Sequence, residues 1–139
     1  LPQTVDARAA NFFHGDVAGC TAEDVSAIVL GYENGRVGVL HASNGAVPGR
    51  WMKGWQIVAE RATGLFADWN NAEIVRTAGE PASEKIAASL DPFAAQLEDV
   101  RDAILTKRAP RVPLRDGYET LRLVLAARQS ADERREIAL

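Results

Sequence analysis

The segment Glu23–Ser43, EDVSAIVLGYENGRVGVLHAS, restricts the fold more than any other part of the chain. Asn34-Gly35 is the dipeptide that accepts the positive φ angles of a two-residue hairpin turn, and Val, Ile and Leu crowd the arms on either side. The arms are therefore predicted as two antiparallel strands. Alternation groups Ile28, Leu30 and Tyr32 of one arm with Val37 and Val39 of the other on the side facing a core. A lone ribbon is marginal in water, so the hairpin must be the middle of a wider sheet with apolar material laid on it.

The flanking sequence supplies both. Thr4–Phe13 alternates as a first strand, and 14–22 is a loop broken by Gly15 and Gly19. After a turn-rich connection, Trp55–Arg61, Leu65–Trp69 and Glu73–Thr77 are predicted as three short strands, with Thr63-Gly64 and Asn70-Asn71 as the turns between them. The segment from Gly79 to Ser89 looks loose. At Asp91-Pro92 a capping carboxylate precedes proline at the first helical position, and Phe93, Leu97, Val100, Ile104 and Leu105 then form one apolar stripe. Lys107 and Arg108 suit the negative end of that helix before Pro110 stops it.

A second helix is expected from Asp116, with Glu119 completing a capping box. Leu121, Leu123, Val124, Leu125, Ala126 and Ala127 cover most of its circumference, which predicts a helix wedged between the sheet and another element. Ile137–Leu139 can add a last strand.

Strands first and helices last define an α+β domain spanning 1–139: an open, mostly antiparallel sheet of about six strands with two C-terminal helices packed on one face. The other face is expected to carry Val25, Ala27, Val29, Leu40 and Ala42. Apolar residues on an uncovered face call for a partner, either another domain or a second subunit.

Composition excludes several classes. The 16 basic residues are interspersed with 19 acidic ones for a net charge of -3, with no basic stripe for nucleic acid. No apolar run approaches the roughly 20 residues of a membrane span. The single cysteine, Cys20, has no partner for an internal disulfide and fits a reducing cytoplasm. The only histidines, His14 and His41, lack neighbours at metal-ligand spacing, so no metal site is expected. A start at Leu1 rather than Met suggests a processed, trimmed or partial chain.

The connection from Pro48 to Trp55 is the strongest candidate for a functional surface. Arg50 and Lys53 bring positive charge, and Trp51 and Trp55 bring flat rings on which a sugar or a subunit can stack. The same four side chains suit an interface whose rim the cations line. His41, on a strand, is a further candidate for a substrate cleft or a satisfied sheet position.

From about Val5 to Leu139 the chain resembles the C-terminal domain of the Gfo/Idh/MocA family of NAD(P)-dependent oxidoreductases. The matching pieces are Glu23-Asp24 opening a strand, Tyr32-Glu33-Asn34-Gly35 followed by Gly38, and Asp91-Pro92-Phe93 leading to Gln96-Leu97, Asp99, Ala103 and Ile104. They continue with Pro110, Pro113, Asp116-Gly117, Ala126-Ala127 and Ser130-Ala131. Glu133-Arg134-Arg135 replaces the glycine usual in the family before the last strand.

The resemblance implies an N-terminal Rossmann domain, absent from this chain, which would hold NAD or NADP and the catalytic lysine. On that basis no catalytic and no cofactor-binding residue is assigned here, and the chain alone is expected to be inactive. It would be the substrate-side and oligomerisation domain of a cytoplasmic enzyme acting on a sugar, cyclitol or related hydroxyl compound. Its partners would be that Rossmann domain, the small-molecule substrate and further copies, as a dimer or tetramer paired through the exposed sheet face. The alternative is a non-catalytic dimerising or small-ligand-binding module.

Overall fold

In the computed structural model, which describes residues 1–45 and 47–139, the α+β class holds, but the strands form two four-stranded antiparallel sheets in place of one sheet of about six. The chain divides into two compact units, Leu1–Gly49 with Val112–Leu139, and Arg50–Arg111.

The first unit contains β1 (Thr4–Ala10), β2 (Val25–Gly31), β3 (Val37–Ser43), α2 (Leu114–Glu133) and β8 (Ile137–Ala138), with strand order β3-β2-β1-β8. Asn34 and Gly35 do take positive φ, 63° and 74°. The loop, however, holds three residues, Glu33–Gly35, in a single 3₁₀ turn closed by Tyr32 N–H donating to Arg36 O at 2.9 Å.

That one extra residue moves β3 by one position and turns its side chains over. Leu30 lies opposite Gly38 and Ile28 opposite Leu40, so Gly38, Leu40 and Ala42 share the covered side with Ile28, Leu30 and Tyr32. Val37 and Val39, expected in the core, point the other way and are 67% and 70% exposed. Leu40 and Ala42 correspondingly leave the open face to which they were assigned.

Val5, Ala7, Leu30, Ala127 and Ile137 form the buried core, with Ile28, Tyr32, Leu123, Ala126, Ala131 and Leu139 packed around it. Full burial of a Val or Leu side chain is worth about 1.5–3 kcal/mol. The close fit of α2 on β1 comes from its small residues: Ala127 and Ser130 are both buried. The Ser130 hydroxyl accepts from Ala7 N–H at 2.9 Å and donates to Arg135 O at 2.6 Å. It thereby continues the edge of β1 past the point where β8, paired only to Thr4 and Val5, has ended.

Two expectations for α2 change. The helix begins two residues earlier than Asp116, with Pro113 at the N-cap, and Glu119 pairs with Arg122 at 2.9 Å instead of reaching back as a capping box. Its far side is not wedged, because Leu121, Val124 and Leu125 are exposed. Arg134 ends it at φ 55°, the left-handed position that the family resemblance would fill with glycine. A residue with a Cβ there costs about 1 kcal/mol, and the turn delivers Ile137 onto Val5.

The second unit is a meander in chain order: β4 (Trp55–Val58), β5 (Ala62–Phe66), β6 (Asn71–Arg76) and β7 (Ala82–Ala87), followed by α1 (Pro92–Thr106). Thr63-Gly64 lies inside β5 and is not a turn; the reversal is at 59–61, closed by Ala59 N–H to Ala62 O. Gly64 is needed for a different reason: a Cβ there would come within 2.8 Å of the Phe66 ring. The segment predicted as loose contains strand β7, exposed along its length and ordered by the ladder offered along β6.

Asp91 caps α1, accepting from Phe93 and Ala94 N–H at 2.9 and 3.2 Å, with Pro92 behind it as predicted. Lys107 and Arg108 stand at and beyond the helix end instead of in its last turn: Lys107 is left-handed, and Arg108 folds back to Asp99 at 2.6 Å. The N–H of Arg111, first, and the Arg108 guanidinium hold the Asp99 carboxyl below its ordinary range.

Asp24, 3% exposed, ties the end of β1 to the start of β2. Its carboxylate accepts from the N–H groups of Phe12 (2.9 Å), Phe13 (2.6 Å) and His14 (3.1 Å) and meets His14 Nδ1 at 3.2 Å. Burial pushes its pKa up, but these donors together outweigh burial and hold it below the usual carboxylate value. A depressed folded-state pKa stabilises above the unfolded value and loses that contribution as pH falls through the folded one. Urea midpoints followed by circular dichroism from pH 7 to pH 3 are therefore expected to fall below about pH 4. Asp24→Asn should lower the midpoint at pH 7 and flatten the acid limb; an unchanged acid limb would contradict this role.

Candidate functional site

The predicted surface at 48–55 enters the second unit along the start of β4. Trp55 opens that strand opposite Phe66, and the two rings stack at 5.1 Å between centroids and 11° between planes. Lys53, two residues earlier, puts its Nζ over the ring of Trp69. A cation held on an indole face in this way is worth about 0.5–1 kcal/mol where exposed.

Trp69 is held in a turn organised by Asp68. The Asp68 carboxylate accepts from Asn70 N–H (2.7 Å), Asn71 N–H (2.9 Å) and Asn71 Nδ2 (2.9 Å). The side chain of Asn71, first, and then the backbone of Asn70 hold the Asp68 pKa below its ordinary value, with Lys53 adding to the effect. Asn70 clamps the next segment twice, donating to Leu90 O and accepting from Leu90 N–H, both at 3.0 Å.

Beside this ring pair lies a shallow cavity of about 540 Å³ whose lining includes Trp55, Leu65, Phe66, Glu73, Lys85 and Ile86. Glu73 and Lys85 are cross-strand partners on β6 and β7, and Ser83 Oγ donates to the Glu73 carboxylate. Trp55, Phe66 and Ile86 fall in one cross-strand row and Leu65, Glu73 and Lys85 in the next, so the aromatic rings lie on one face of the meander and the carboxylate and ammonium on the other.

The five sequence candidates thus separate. Lys53 and Trp55 are anchored within one patch of the second unit. Arg50 and Trp51 are exposed, Trp51 to 85%, and among the described residues Arg50 has no ion pair. His41 belongs to the first unit, on the uncovered side of β3 opposite Ala27. Trp69, Glu73 and Lys85 were not anticipated. Asp68-x-Asn70-Asn71 carried a turn signal that placed Trp69 beside the strand end, whereas Glu73 and Lys85 became neighbours only once β7 existed.

Among the described residues no group of three or more His, Cys, Asp and Glu side chains could hold a metal ion. Among them, too, no helix is long and apolar enough to cross a membrane.

No protein-family model matches the chain, and no curated protein does. Solved structures do match. An oxidoreductase domain protein from Kribbella flavida superimposes over 99% of this chain with a TM-score of 0.85 at 17% identity, using 44% of its own length. Aldose-aldose oxidoreductase from Caulobacter crescentus, complexed with glycerol, matches over 99% at TM-score 0.79 and 22% identity, using 41% of its length. Levoglucosan dehydrogenase in complex with NADH and L-sorbose matches over 99% at TM-score 0.85 and 12% identity, using 44%. The resemblance drawn from the sequence therefore holds at the level of the fold. The chain has the fold of one part of these oxidoreductases and spans less than half the length of each.

The anchored and exposed tryptophans should respond differently to truncation. Trp55→Ala, which removes a stacked ring, is expected to cost about 1–2 kcal/mol in urea unfolding. Trp51→Ala should stay within about 0.5 kcal/mol of the parent chain. Equal losses would contradict the placement of one or the other.

Proposed function

We propose that the chain, 1–139 taken as a single domain, is the C-terminal, substrate-side and oligomerisation domain of an NAD(P)-dependent oxidoreductase acting on a sugar, cyclitol or related hydroxyl compound in the cytoplasm. One observation carries this: the fold match takes in 99% of this chain but only 41–44% of the three oxidoreductases compared with it, one of them in complex with NADH. The chemistry assigned to such a domain is limited. Hydride would pass between the nicotinamide and a carbinol carbon, with cofactor and proton acceptor supplied by an N-terminal Rossmann domain. This domain would add one wall of the substrate cleft, for which Arg50, Trp51, Lys53, Trp55 and His41 are the candidates.

The second contribution is subunit pairing. The uncovered face of β1–β3 shows Val25, Ala27, Val29, Val37 and Val39, an apolar surface of the kind that subunit interfaces cover. A homodimer or a tetramer built from such pairs is the assembly proposed.

The isolated chain is expected to give no heat of binding with NAD or NADP in titration calorimetry, and to reduce or oxidise nothing. Micromolar affinity for either dinucleotide would contradict the division of labour. A coding sequence upstream of Leu1 with a glycine-rich βα turn would support it, and a start codon there would favour the non-catalytic module.

A further inference from the structure

The uncovered face of the first unit's sheet combines apolar rows with few charges, and their arrangement gives its pairing a dependence on pH. The register sets the rows. Asp6, Val29 and Val39 lie side by side across β1, β2 and β3, and Arg8, Ala27 and His41 form the next row. Asp6 and Arg8 are themselves paired at 2.6 Å, so the face carries one negative and one positive charge that cancel. A surface of this kind is complementary to itself: a second copy brings the same valines and the same cancelling pair.

His41 is the third titratable group on these three strands. One strand, β2, separates it from Arg8, roughly 10 Å across the sheet, and contributes only Val25, Ala27 and Val29 to this face. β3 adds no other ionisable side chain. Beyond β1 the far edge adds Ala138, with Glu136 just ahead of β8, three strands from His41. Among the described residues of these strands no carboxylate therefore lies next to His41 to balance an imidazolium, and the nearest charge along its row is Arg8, already paired with Asp6.

We infer that this face pairs with a second copy of the chain only while His41 is neutral, so that acidification separates the copies. The inference rests on the oligomerisation role proposed above and adds its regulation. Histidine is the side chain that ordinarily changes charge between pH 5 and pH 8. Protonation turns a neutral face into a positive one in each copy, and closing two such faces would bury unbalanced like charges among valines. By linkage, uptake of one proton per copy on dissociation weakens dimerisation by up to about a hundredfold per pH unit.

The test is sedimentation equilibrium of the 139-residue chain at pH 8 and pH 5.5, with circular dichroism confirming a folded chain at both. The dissociation constant is expected to rise roughly tenfold to a hundredfold at pH 5.5. His41→Gln should associate as the parent does at pH 8 and keep that affinity at pH 5.5. His14→Gln, which alters the other histidine, should leave the pH dependence in place. A parent dimer equally tight at both values, or a His41→Gln chain that still dissociates in acid, overturns the inference while leaving the pairing itself standing. A chain monomeric at every pH overturns both.

Discussion

The hydrogen bond from Tyr32 N–H to Arg36 O sets the register of the β2–β3 hairpin, and the character of both faces of the first sheet follows from it. With three residues in the loop, Leu40 and Gly38 share the face of Ile28 and Leu30, the side on which α2 packs against β1, and the valines of β3 face outward. One residue fewer would put Val37 and Val39 on the α2 side and Leu40 on the open face. Because side chains alternate with a period of two, no intermediate arrangement exists. The open apolar face is thus a consequence of one turn, reinforced by the fit of Ala127 and Ser130 against β1.

Much of the fold was legible in local chemistry. Asp91-Pro92 marked the start of α1, Asn34-Gly35 marked the hairpin, and alternation in Thr4–Phe13 marked β1, which ends three residues earlier at Ala10. What failed failed for physical reasons. Asn-Gly announces positive φ but not the loop length, since Glu33 can join the turn without any change in composition. Gly64 resembled punctuation, although it is a strand residue making room for the Phe66 ring. β7 has little strand propensity of its own and forms because β6 presents an open edge to it. The division into two four-stranded sheets has no local signature, because it depends on which edges meet.

The candidate site was legible to a similar degree. The cations and indoles at 50–55 stood out by composition, and the structure gives two of them fixed partners, Phe66 for Trp55 and Trp69 for Lys53. Trp51 and Arg50 remain outside that network, as exposed surface groups. Asp24 was visible only as the residue opening a strand. Its part as the acceptor that gathers three consecutive N–H groups depends on the path of the 11–14 loop.

The outward orientation of Val39 is the claim on which the open face rests, and a single charged substitution tests it. Val39→Lys should leave the urea midpoint of the folded chain nearly unchanged, because that side chain is in contact with solvent, and should abolish self-association in sedimentation equilibrium. A Val39→Lys chain that loses several kcal/mol of stability would place Val39 in the core and contradict the register. One that associates as tightly as the parent would show that this face is not where copies meet.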